Sequence, residues 1–248
     1  MSGRAPSLLS GLIGLAMIAC GEGRSGPLAS GADEDEEGVF CNIPLEDLTG
    51  ILGPDQIPAL TDPTFVAPDA AEADYVTDSS RVVGLILGGE ALAVPLNILR
   101  HHEIVNLNRG EARVAVTYCP LTGSSLTFDR SAVAGAEFGV SGILMRNNLV
   151  LYDRSDEWSF FPQMKRRAGC GPLARVGRVL PMVPSAEMRW DAWKRLYPET
   201  RVVSRETGFG RAYHINPNAE YERIDNPDRL IAVPLDPRRP PKERVFGV

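Results

Sequence analysis

Apolar residues along this chain come mostly in short runs separated by turn-forming pairs. Residues 81–96, RVVGLILGGEALAVPL, are two such runs around Gly88, Gly89 and Glu90, a pattern that predicts a β-hairpin. The stretch NILRHHEIVN (97–106) predicts one or two helical turns with Asn97 as N-cap. Strand, turn and strand follow in EIVNLNRGEARVAVTYC (103–119), with Asn108, Arg109 and Gly110 at the turn, and SSLTFDR (124–130) reads as a further strand. A third hairpin is expected in AEFGVSGILMRNNLVLYDR (136–154), hinged near Arg146, Asn147 and Asn148. Only MRWDAWKRLYPET (188–200) carries a helical stripe. Trp190, Trp193 and Tyr197 recur there at spacings of three and four, which predicts a helix whose aromatic face packs in the core. Pro198 stops it, and RVVS (201–204) returns as a strand.

Many short strands and one clear amphipathic helix predict a β-rich α+β fold built from antiparallel hairpins, a single domain over residues 66–232. Residues 39–65 carry prolines and little periodicity and read as an extended lead-in. Residues 233–248 read as a proline-rich surface tail. With 44% hydrophobic residues the body has enough apolar side chains for a packed core. The net charge of −6 excludes nonspecific nucleic-acid binding, which needs a basic face to neutralise phosphates. One local basic run, KRRAGCGPLARVGR (165–178), reads as a solvated surface.

The first residues change the picture. LLSGLIGLAMIA (8–19) is apolar, short for a bilayer span, and ends in small residues before Cys20. The MIAC run has the form of a bacterial lipobox. Residues 1–19 are therefore expected to be a lipoprotein-type signal peptide, with Cys20 acylated, and residues 20–38 a flexible acidic linker. The chain is expected to be exported to the cell envelope and lipid-anchored, facing the periplasm or exterior. Its partner there is the membrane, besides a small-molecule or protein partner that no motif names. With Cys20 acylated, Cys41, Cys119 and Cys170 remain, so at most one internal pair forms. Cys41 and Cys170 lie in loop-like sequence and are expected to pair, which leaves Cys119 over.

Several pieces occur in a fixed order: HEIVN, VTYCPLTGSSLTFD, FGVSGILMRNNLVLYDR, Trp158-Ser159, GPL and RWDAWKRLYPETRVVS. Together, over about Val82 to Ser204, they resemble the bacterial and archaeal family called domain of unknown function 3179. The resemblance implies a domain and no activity. Many members have Cys-Pro-Leu-Cys-Gly at the central motif. Here Thr122 stands where the second cysteine would be, which rules out a dithiol cycle within this motif.

The candidate chemistry gathers around Cys119. His101 and His102 are adjacent, and neighbouring side chains on a helix point about 100° apart, so only one of the two is expected to face the site. His102 matches the family's His-Glu position. A Cys119–His102 pair has two uses, an activated nucleophile or a site for copper or zinc. Metal binding is preferred because no oxyanion hole is evident. Glu103, Asp129, Asp153 and Trp158 are candidates to orient the histidine or line the pocket. The alternative is a noncatalytic binding module in which Cys119 packs as a small buried side chain. Ser141 is not a nucleophile elbow, because Ile143 stands where the pattern needs its final glycine.

Overall fold

The structure, a computed structural model, describes residues 39–226, 238–240 and 242–243. The expected signal peptide, the acylated Cys20, the linker and most of the tail lie outside the described residues. In chain order the elements are β1 (Leu48–Gly50), β2 (Leu60–Thr61), β3 (Phe65–Val66), β4 (Arg81–Leu87), β5 (Glu90–Pro95) and α1 (Leu96–His102). Then come β6 (Ile104–Arg109), β7 (Ala112–Cys119), β8 (Ser124–Asp129), β9 (Phe138–Met145), β10 (Asn148–Asp153) and β11 (Phe160–Pro162). The last are α2 (Pro172–Arg175), β12 (Ser185–Arg189), α3 (Trp190–Leu196) and β13 (Arg201–Val203). The fold is β-rich α+β.

Three sheets result. Their strand orders are β1-β9-β10-β11, β2-β6-β7-β8 and β12-β4-β5-β13-β3. Each takes one edge strand from residues 48–66, so the extended lead-in is woven into all three. All pairings are antiparallel except β2 with β6 and β13 with β5.

The hairpin turns follow from local chemistry. Leu87 faces Glu90 across Gly88 and Gly89, both at positive φ, as a two-residue hairpin loop requires. Met145 faces Asn148 across Arg146 and Asn147, again both at positive φ. The turn between β6 and β7 falls at Gly110 and Glu111, later than expected, because Asn108 and Arg109 still pair with Arg113 and Ala112. Asn97 does not cap α1. The helix starts at Leu96 behind Pro95, whose fixed φ ends the preceding strand, and the Asn97 amide instead donates to the Tyr213 carbonyl at 2.9 Å.

The β2-β6-β7-β8 sheet is covered on both faces. Val114, Val116 and Tyr118 of β7 pack with Leu85, Leu92 and Val94 of the five-stranded sheet. Ala115 and Cys119, on the other face of β7, pack with Phe138, Val140, Leu151 and Phe161. Two covered faces explain why β7 reads as a nearly continuous apolar run. A third cluster lies beyond the five-stranded sheet, where Trp190 and Trp193 of α3 pack on Val82, Ala93 and Val202. Gly84 makes room there: a Cβ at that position would lie 2.4 Å from the Trp193 ring. Cys41 and Cys170 form a disulfide that links the lead-in to the loop after β11.

Candidate functional site

Cys119 ends β7 on the face toward β9 and β10 and is buried. Its thiol donates to the Asn147 carbonyl at 3.5 Å. Around it lies a closed polar network. Gln163 Nε2 donates to Thr117 Oγ1 at 2.9 Å. Gln163 Oε1 accepts from Asn148 Nδ2 at 2.9 Å and from Ser124 Oγ at 3.0 Å. Asn148 Nδ2 also reaches Thr122 Oγ1 at 3.0 Å, and Asn148 Oδ1 accepts from the Met164 N–H at 3.1 Å. Thr122 is thus held in the network that braces the loop between β7 and β8. Burial pushes the Cys119 thiol above its ordinary range, against opposing hydrogen bonds from Thr122, and the nearby Glu103 charge pushes it further. At neutral pH the group is a thiol, a poor nucleophile and a poor ligand.

His102 ends α1 and is fully buried. Its Nδ1 lies 2.7 Å from the Pro58 carbonyl and its Nε2 2.7 Å from the Tyr213 hydroxyl. A carbonyl only accepts, so Nδ1 carries the hydrogen and Nε2 accepts from Tyr213. Tyr213 then accepts from Thr207 Oγ1 at 2.5 Å. The chain of donors runs Thr207, Tyr213, His102, Pro58. Burial lowers the imidazole to about 4, so the ring is neutral.

The expected His102–Cys119 pair is not assembled. Both ring nitrogens are already hydrogen-bonded, and no hydrogen bond joins ring and thiol. The ring packs at a tilt against Phe209 and Tyr213; Tyr213 belongs to the cluster on the Tyr118 face of β7, while Cys119 belongs to the cluster on the opposite face. Among the described residues no group of three or more His, Cys, Asp or Glu is placed to hold a metal ion. Glu103 is the expected residue whose charge Cys119 feels. It caps α1 at φ 57°, and burial raises its carboxyl to about 7. The remaining candidates serve local structure. Asp129 accepts from the Ser131 N–H at 2.8 Å, and Asp153 from the Ser159 N–H at 2.7 Å. Trp158 is part-exposed and leans on Tyr152, with ring centroids 4.6 Å apart.

Beside the His102 chain is a cavity of about 450 Å³ that the sequence reading missed. Tyr75, Phe209 and Tyr213 line it with aromatic rings, Arg205, Arg211 and His214 with nitrogen groups, and Asp74 and Glu206 with carboxylates. Arg205 is committed to Asp74 at 2.6 Å. The available signal was weak: two aromatics and two arginines in the Gly-rich stretch 205–214, without a motif.

The sequence profile of a family described as "Protein of unknown function (DUF3179)" matches residues 54–248. The chain belongs to the DUF3179 family. The match is wider than the motif resemblance and takes in Asp74 and residues 205–214, so the cavity lies within the DUF3179 region, as do His102 and Cys119. Cys41 lies outside it. No curated protein and no solved structure matches the chain. Among the described residues no helix is long and apolar enough to cross a membrane.

Proposed function

We propose that this DUF3179 chain is a cell-envelope lipoprotein, anchored through Cys20, whose domain is a noncatalytic module binding a small ligand in the cavity beside Tyr213. The observation that carries the reading is the cavity itself, backed by the Thr207–Tyr213–His102–Pro58 chain. That chain fixes the Tyr213 ring before any ligand arrives, and a preorganised wall reduces the entropy lost on binding. Tyr75, Phe209 and Tyr213 offer ring surface to a ligand, and the polar groups of Arg211, His214, Asp74 and Glu206 would orient it. Catalysis by Cys119 is disfavoured, because its thiol is neutral and sealed and His102 has no nitrogen free to take its proton. A copper or zinc site at these two residues would require the ring to give up Pro58 or Tyr213.

Two measurements test this. Mass spectrometry of the mature N-terminus is expected to find Cys20 acylated and the chain in the membrane fraction. An unmodified Cys20 ends the lipoprotein reading. Separately, a library of small aromatic and anionic compounds is screened by ligand-observed NMR. Binding is expected to be lost in Phe209→Ala and kept in Cys119→Ser, with the Cys119 thiol unreactive until the protein is denatured. The cavity reading fails if no binder is lost on Phe209→Ala, or if native Cys119 is alkylated at the rate of a free thiol.

A further inference from the structure

We propose that the lobe of residues 164–182 is a docking face for an anionic lipid bilayer. The proposal rests on the envelope-lipoprotein reading. The whole chain has a net charge of −6, yet residues 158–186 contain no Asp or Glu. Within that span Lys165, Arg166, Arg167, Arg175 and Arg178 are all exposed. None forms an ion pair with a carboxylate among the described residues, although most arginines elsewhere do. Backbone bonds from Leu180 N to Arg166 O and from Ala168 N to Arg178 O draw the two ends of the segment together. The cations therefore share one lobe. Met164, Val176, Val179 and Met182 are exposed on the same lobe, at 61%, 69%, 40% and 47%. Cations interleaved with exposed apolar side chains match a bilayer interface, where headgroups meet acyl chains.

The path of the chain points the same way. The Cys41–Cys170 disulfide ties the start of the described chain into this lobe. Gly171 N–H donates to the Phe40 carbonyl at 2.8 Å, and the Arg175 guanidinium lies 4.8 Å above the Phe40 ring. A chain acylated at Cys20 thus enters the fold at its most basic face. The intervening segment spans at most about 65 Å. The rest of the molecule, net acidic, is repelled by an anionic surface, which turns this lobe toward it. The acidic run Asp33–Glu37 is a rival occupant with matching charge. It has no apolar side chain with which to cover Met164, Val176, Val179 and Met182, and this favours the bilayer.

The test uses the mature chain with Cys20→Ser, so that acylation plays no part. Co-sedimentation is measured with vesicles of phosphatidylglycerol in phosphatidylcholine, and with pure phosphatidylcholine. Binding is expected only to the anionic vesicles and is expected to fall steeply with salt. Each cation contributes about five-fold to partitioning at such a surface, so Arg166→Glu with Arg178→Glu is expected to cut it by about twenty-fold or more. Near-UV circular dichroism and an intact Cys41–Cys170 bond confirm that the variant is folded. The proposal fails if the parent chain ignores anionic vesicles, or if the folded variant binds them equally well. It also fails if binding appears only after Asp33–Glu37 are neutralised, which would make the acidic run the occupant. Loss of acylation in cells bears on the lipoprotein reading alone and leaves the vesicle result standing.

Discussion

Glu103 and His102 sit side by side in sequence, and burial moves their titrations in opposite directions. The Glu103 carboxyl is raised from 4.5 to about 7, so the folded chain holds its proton more tightly than the unfolded one. Its contribution to stability is full below about pH 4.5 and is lost as pH rises through 7. The His102 imidazole is lowered from 6.5 to about 4, so its contribution is full above about pH 6.5 and is lost as pH falls through 4. Between about pH 4.5 and 6.5 the two slopes oppose each other. Glu103→Gln is expected to expose the His102 slope in urea unfolding, at up to about 1.4 kcal/mol per pH unit. It is also expected to stabilise the chain at pH 8 by about 2 kcal/mol or more, because the buried carboxylate is removed. A variant profile parallel to that of the parent would refute the assignment. The residue types at this site were legible in the sequence, and their company was not. His102 is satisfied by Pro58, 44 positions before it, and Tyr213, 111 positions after it, a pairing that no local pattern announces.

At the scale of elements, the hairpins were legible because Gly88-Gly89 and Asn147 carry the positive φ that their turns demand. The stripe of α3 was legible in part: Trp190 and Trp193 are both buried on the sheet, while Tyr197 follows the helix end at Leu196 and packs against the cluster half-buried. What the stripe could not show is the depth of the docking. Gly84 in β4 is the seat of the Trp193 ring, which is further held by its Nε1 hydrogen bond to Thr200 Oγ1 at 2.8 Å. The ring has little freedom to withdraw. Gly84→Ala is therefore expected to cost about 3 kcal/mol in urea unfolding, the upper range for overpacking. A cost under about 1 kcal/mol would mean that α3 shifts as a unit to accommodate the methyl group. The strands β1, β2 and β3 were illegible for the opposite reason. Runs of two or three residues are too short to show alternation, and they are strands only because a sheet edge elsewhere in the chain accepts them.

For the whole molecule, the Cys41–Cys170 bond spans 129 residues of sequence. Constraining so long a loop in the unfolded chain is worth about 5 kcal/mol, so Cys41→Ser with Cys170→Ser is expected to lower unfolding stability by up to about that amount. An unchanged urea midpoint would show that the strand pairings of the lead-in suffice without it. The pairing itself was inferred from compartment and loop-like sequence; the neighbourhood it creates, a chain entry set against five cations, needed the coordinates. The weaving of β1, β2 and β3 into three separate sheets has a consequence for how the protein is made. These strands leave the ribosome first, yet β3 pairs only with β13, whose residues are among the last of the domain to be synthesised. At typical elongation rates the nascent chain waits roughly ten to thirty seconds between the two. Throughout that interval β3 is a strand without a neighbour, and the site it will occupy does not yet exist. For a chain exported as proposed, the gap lasts until β13 has also crossed the membrane, so the vulnerable species is the unfolded precursor, and a holding chaperone would act on it there.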